Sequence, residues 1–121
     1  MSGVDPKEDW VLRRLRKRSE FLQVYRQGKS IHTRTLVLYF LRNEGETHRM
    51  GITASRKIGK AVVRNRIKRE FREIFRNHEV LMPPVDLVVN TKKAAAAASF
   101  AELREDYLSA VEHVMIKQGD Q

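Results

Sequence analysis

ITASRKIGKAVVRNRIKREFREIFR, residues 52–76, is the stretch on which the reading of this chain turns. It sets nine basic residues, Arg56, Lys57, Lys60, Arg64, Arg66, Lys68, Arg69, Arg72 and Arg76, against two acids, Glu70 and Glu73. From Ala61 onward the pattern is helical. At about 100° per residue, Val63, Ile67, Phe71, Ile74 and Phe75 fall within an arc of roughly 120°. Arg64, Lys68 and Arg72 follow one another at i, i+4 along the edge of that arc. Asn65, Arg69 and Arg76 carry the positive surface further round, with Glu70 and Glu73 on the far side. A helix with one apolar stripe and one cationic surface repels itself unless a polyanion meets it. Nucleic acid is the polyanion that fits.

The rest of the chain extends this reading. Its 121 residues make one domain with room for a single core. A net charge of +9 suits a phosphate-backbone partner, and an anionic membrane surface is the other class it admits. No apolar run reaches the length of a membrane span. The N-terminus, MSGVDPKEDWVLRRLRKR, lacks the apolar stretch of a signal peptide and carries acids that argue against a transit peptide. Without cysteine, disulfides and thiolate metal sites are excluded. A cytoplasmic location is expected.

Residues 1–9, with Gly3 and Pro6, are expected to form a flexible arm. A single RNA-binding domain is expected over 10–117, followed by a tail at 118–121. Trp10, Val11, Leu12 and Leu15 accompany a basic cluster of Arg13, Arg14, Arg16, Lys17 and Arg18, either a solvated face or part of a binding surface. Ser19 is a candidate N-cap for a helix over Glu20–Gln27 closed by Gly28, with Phe21 and Tyr25 on one face. Thr35–Leu41 reads as a strand, Asn43–Glu46 as a turn and His48–Ala54 as the antiparallel return. The basic helix follows after Gly59. Pro83 and Pro84 break the chain before a strand at Val85–Asn90. The alanine run at 94–98 fits a loop or an early helical turn. Ser99 with Glu102 resembles a capping box, and Phe100, Leu103, Tyr107, Val111 and Val114 recur at helical spacing to about Lys117. The order α-β-β-α-β-α predicts an α+β fold, a small α/β sandwich.

Catalytic constellations are absent from this reading. His32, His48, His78 and His113 have no zinc-type spacing, and the acids do not converge as two-metal hydrolysis requires. Lys57-Ile58-Gly59-Lys60 is too short for a phosphate-binding loop. No catalytic residue and no metal ligand is assigned. Binding features are richer. Arg and Lys on the helix can contact phosphates. Asn65 can bond a sugar hydroxyl or base edge, or else the backbone near the helix start. Phe21, Tyr25 and Tyr39 are either core aromatics or rings on which single-stranded RNA stacks.

The run from Ser55 to Arg69, SRKIGKAVVRNRIKR, closely resembles the signature of the bacterial ribonuclease P protein subunit, whose RNR motif matches Arg64-Asn65-Arg66. The resemblance continues through Phe21, Tyr25, Gly28, Arg34 and Leu38-Tyr39 upstream and to the Asp86 strand and last helix downstream, covering about residues 15–117. It implies the protein subunit of an endoribonuclease that removes the 5′ leader from precursor tRNA, with catalysis and its magnesium held mainly by an RNA subunit. The protein would strengthen substrate binding and lower the magnesium requirement. The resemblance assigns Arg64, Asn65, Arg66, Lys68, Arg69 and Arg72 to the catalytic RNA. Phe21, Tyr25, Tyr39, Arg34 and Lys57 fall to the single-stranded leader. The implied fold resembles the second domain of ribosomal protein S5, with a left-handed β-α-β crossover against the usual preference. Partners are the catalytic RNA and precursor tRNA, with no membrane and no obligate protein partner. Tyr25 stands where some relatives carry phenylalanine, while Trp10 and the alanine run are not family hallmarks. A structural RNA-binding protein, a protein-only nuclease and a DNA-binding domain are the competing classes.

Overall fold

The computed structural model describes residues 14–45, 47–77 and 83–119. Four strands, β1 (Lys29–His32), β2 (Leu36–Arg42), β3 (Arg49–Thr53) and β4 (Val85–Thr91), form one sheet in the order β1-β2-β4-β3. Three helices pack on it: α1 (Arg18–Gln27), α2 (Ala61–Asn77) and α3 (Phe100–Gly119). The described order is therefore α-β-β-β-α-β-α, one strand richer than the sequence pattern suggests. The additional strand, β1, carries a single large apolar residue, Ile31, and is held at the sheet edge by backbone pairing with β2. Periodicity has little to register in such a strand.

The expected β2–β3 hairpin is corrected by the pairing. β3 does run opposite to β2, but β4 lies between them, antiparallel to β2 and parallel to β3. Val85 to Val89 are all buried, whereas β3 is only partly so. A strand apolar on both faces gains most from the central position, which leaves β3 near the edge. Within the expected turn, whose last residue Glu46 lies outside the described residues, the Gly45 N–H donates to Asn43 Oδ1 at 2.8 Å. Asn43 is further tied to β4, its N–H donating to Pro84 O at 2.9 Å and its Nδ2 to Asp86 Oδ1 at 2.9 Å. The outer edge of β3 is met by the incoming chain, where the Leu15 N–H donates to Met50 O at 3.0 Å.

The pleat divides the apolar residues into two unequal cores. On one face Leu36, Leu38, Phe40, Met50, Leu87 and Val89 meet Ile67, Phe71, Ile74 and Phe75 of α2 and Leu103, Tyr107, Val111 and Val114 of α3. The apolar arcs of both helices are thus the buried ones. On the other face a small cluster of Leu15, Val24 and Val88 packs with Phe21, Tyr25, Tyr39 and Leu41 beneath α1.

Helix ends show what local chemistry decides. Lys17, not Ser19, is the N-cap of α1. The Glu20 carboxylate accepts from the backbone N–H groups of Arg16 and Lys17, both at 2.9 Å, and supplies the cap from within the first turn. Gly28 ends the helix as expected, for a spatial reason. A Cβ there would sit 2.5 Å from the carbonyl oxygens of Phe40 and Val24, so only glycine lets the helix end approach β2. At α3, Ser99 and Glu102 form the expected box, with Ser99 N–H to Glu102 Oε1 at 2.9 Å and Glu102 N–H to Ser99 Oγ at 3.1 Å. That helix continues two residues into the expected tail, to Gly119. The alanine run folds as a 3-10 turn over Lys93–Ala97, with Ala95 and Ala98 buried against the main core. The expected arm at 1–9 lies outside the described residues.

Candidate nucleic-acid interface

The cationic side of α2 starts where Gly59 ends the preceding 3-10 turn (Arg56–Ile58). Arg64 curls back, its Nε donating to Gly59 O at 3.2 Å. Asn65 and Arg69 are exposed, while Lys68 and Arg72 are half-buried at the flank. Arg66 points elsewhere. Its guanidinium donates to Ala96 O at 2.9 Å and to Glu70 Oε1 at 3.3 Å, tying the alanine turn to α2. The six basic-helix candidates therefore divide. Arg64, Asn65, Lys68, Arg69 and Arg72 occupy one side, and Arg66 bridges two protein partners on the other.

Asn65, Lys68 and Arg72 form one wall of a groove of about 310 Å³ whose other lining residues are Arg14, Leu15, Phe21 and Ile52. A second groove, of about 380 Å³, is lined by Arg16, Arg18, Phe21, Leu22, Tyr25 and Thr53. Phe21 belongs to both. Gly51 makes this possible, because a Cβ there would collide with the Phe21 ring, which lies against the β3 backbone. The basic run at Arg14, Arg16 and Arg18 thus lies beside the grooves, a placement that depends on Leu15 joining the edge of β3.

Tyr25 and Tyr39 meet edge to face, with centroids 4.9 Å apart and planes at 86°. The Tyr25 hydroxyl donates to Asn90 Oδ1 at 2.7 Å, and Thr53 Oγ1 donates to the same oxygen. The rings pack on the small core, yet each stays partly exposed. Arg34 and Lys57 are not drawn into this group. Arg34 pairs with Glu102 at 2.6 Å, with side chains 58% and 49% exposed, and Lys57 is exposed on the 3-10 turn and lines neither groove. Thr53 and Asn90 carried no signal in the sequence, since only the sheet order brings them under Tyr25.

An ionic network anchors α1 over this face. Arg49 Nε and Nη2 grip Asp86 Oδ1 and Oδ2 at 2.9 and 2.8 Å, and Nη1 reaches Glu20 Oε2 at 2.9 Å. The Asp86 hydrogen bond leads in raising the Arg49 pKa above its ordinary value, outweighing partial burial. For Glu20, burial pushes the carboxyl up. The backbone N–H groups of Lys17 and Arg16, with the Arg49 charge, more than reverse this and hold it below its ordinary value. One carboxylate therefore caps α1 and locks it to β3 and, through Arg49, to β4.

Among the described residues no group of three or more His, Asp or Glu side chains could hold a metal. The groove linings are cationic and aromatic and do not fit a resident magnesium ion. No helix among the described residues is long and apolar enough to cross a membrane.

With this geometry in view, comparison with known proteins is direct. The Ribonuclease P family model matches residues 11–115. The chain belongs to this family. It is 39% identical over 103 residues to the ribonuclease P protein component of Staphylococcus carnosus, covering 84% of this chain and 86% of that one. Identity to the ribonuclease P protein component of Desulfosudis oleivorans is 46% over 91 residues, covering 74% and 75%. In structure it is similar to the RNase P protein of Staphylococcus aureus, with a TM-score of 0.79 and 30% identity over 84% of this chain and 94% of that one. For the RNase P protein of Thermotoga maritima the TM-score is 0.73, with 38% identity over 79% and 92%. The mixed α+β fold is thus that of ribonuclease P proteins.

Proposed function

We propose that this chain is the protein subunit of a ribonuclease P ribonucleoprotein, which removes the 5′ leader of precursor tRNA by endonucleolytic cleavage. One observation carries the reading: the basic flank of α2 and the aromatic groove of α1 meet over a single ring, Phe21. A surface for phosphate contacts and a surface for stacking unpaired bases are continuous there, as joint binding of a folded RNA and a single strand requires. A purely structural RNA-binding protein needs the first surface but not the second.

On this reading Arg64, Asn65, Lys68, Arg69 and Arg72 contact the catalytic RNA, and Arg66 adds the N–H groups that Ala96 and Glu70 leave free. Phe21, Tyr25 and Tyr39 stack leader nucleotides. Arg34 and Lys57 are peripheral cations for the same strand. The Arg34–Glu102 pair is exposed, so exchanging that carboxylate for a phosphate costs little. Cleavage belongs to the RNA subunit and its magnesium. The protein contributes charge neutralisation and positioning, and no hydrolytic step is assigned to its side chains.

The test is cleavage of a precursor tRNA at low magnesium by the ribonuclease P RNA alone, the protein alone and the two together. Efficient cleavage by the mixture only is the expected result. Cleavage by the RNA-free protein would make the chain a nuclease in its own right. An absence of stimulation would leave a structural RNA-binding protein.

A further inference from the structure

Asn90, on β4, is hydrogen-bonded to two residues, Tyr25 and Thr53, that line the aromatic groove. Its carbonyl oxygen has two lone pairs, and two hydroxyls, Tyr25 Oη at 2.7 Å and Thr53 Oγ1, already donate to it. The oxygen is filled. The Nδ2 group donates to no protein acceptor among the described residues, and the side chain is only partly buried. A carboxamide fixed in this way is no longer the two-sided group that reads adenine by giving one hydrogen bond and taking another. It can only give.

We propose that Asn90 is a base-reading residue beside this groove, selecting leader nucleotides that offer a carbonyl oxygen at pyrimidine C4 or purine C6 over those that offer an exocyclic amine there. This rests on the leader-binding reading above and adds to it a chemical preference. Uracil and hypoxanthine present a carbonyl oxygen where cytosine and adenine present an amine, with the same ring sizes and closely similar stacking area. Stacking on Phe21 and Tyr25 is therefore nearly constant within each pair, and the amide supplies the difference. The Tyr25 hydroxyl acts as a positioning group. It occupies the carbonyl lone pair through which the amide would otherwise accept from an amine.

The experiment measures affinity of the reconstituted holoenzyme for precursor tRNAs whose leaders are runs of uridine, cytidine, inosine or adenosine, each relative to leaderless tRNA. One hydrogen bond gained predicts a preference of about fivefold for uridine over cytidine and for inosine over adenosine. Asn90→Ala should bring both ratios close to one. Asn90→Asp keeps the oxygen held by Tyr25 and Thr53 but turns the donor into an acceptor, so both ratios should invert, a result misfolding cannot produce. Tyr25→Phe keeps the ring and frees a lone pair, so adenosine and cytidine should gain relative to their partners. Leader-dependent binding with flat ratios, or with ratios unmoved by Asn90→Asp, overturns this inference alone. Equal affinity for leader-bearing and leaderless tRNA overturns the leader reading itself, and the inference with it.

Discussion

The two faces of the sheet are built on different physical terms. Beneath α2 and α3 the contacts are apolar and continuous, with Phe40, Phe71, Ile67 and Leu87 all essentially removed from solvent. Among the described residues beneath α1 the buried apolar ones are Leu15, Val24 and Val88, and the helix is also held by Glu20, Arg49 and Asp86. Stability is concentrated on one face, and polar and aromatic groups are left partly uncovered on the other. A binding groove needs that second condition, because a ring sealed in a core has no face to offer a base.

If the division is real, substitutions on the two faces should fail differently. Phe71→Ala opens a cavity in the main core and should cost about 3–5 kcal/mol, read as a lower denaturant midpoint, with RNA affinity lost only as the chain unfolds. Arg49→Ala leaves the Asp86 carboxylate, 10% exposed, facing α1 without its bidentate partner. The expected cost is about 2 kcal/mol, below that of a fully buried pair because water reaches Arg49. Its signature lies in binding. With α1 loosened over β3, affinity for leader-bearing tRNA should fall more than affinity for the catalytic RNA. Equal losses of both would mean that the network serves general stability only.

How much of this was legible depended on the range of the signal. The α2 arc could be read because its determinants are four residues apart, and the Ser99–Glu102 box because they are three apart. The partner of β3 could not. The turn at Asn43 reverses the chain locally and carries no information about β4, which arrives some forty residues later and inserts beside it. The one available clue was Val85–Val89, apolar except for Asp86, which suits a central strand. The groove followed the same rule. Its aromatics could be named, but Thr53 and Asn90 become functional candidates only through the sheet order. Arg66 shows what the motif alone does not reveal. The resemblance groups it with Arg64 and Asn65, while helical geometry turns it toward Ala96.

That separation sharpens into a salt-dependence experiment. If Arg64 and Lys68 each neutralise one phosphate, replacing either by alanine should lower the slope of log affinity for the catalytic RNA against log salt by about one unit. Arg66→Ala should lower the slope less and the denaturant midpoint more, since it leaves Ala96 O without its donor at the α2 contact. Identical slopes for all three variants would restore Arg66 to the same row as the others.

The smallest effect concerns acid. Glu20 and Glu102 both titrate below their ordinary value of 4.5 in the folded chain. For Glu102 the Ser99 backbone N–H is the leading cause, followed by the Ser99 hydroxyl. For Glu20, burial works against the shift and is outweighed by the hydrogen bonds and charge around it. A carboxyl that binds its proton more weakly when folded contributes stability fully above pH 4.5 and loses it as pH falls through the folded value. Stability should therefore decline on acidification below that point. Glu20→Gln cannot titrate, so its deficit against the parent chain should be widest at neutral pH and close as the parent's Glu20 is protonated. Glu102, exposed and bonded mainly within its own helix turn, should give a weaker version of the same convergence. Denaturant midpoints across pH 3–7 would read both. A deficit for Glu20→Gln that stayed constant with pH would assign Glu20 a steric role at the start of α1 in place of an ionic one.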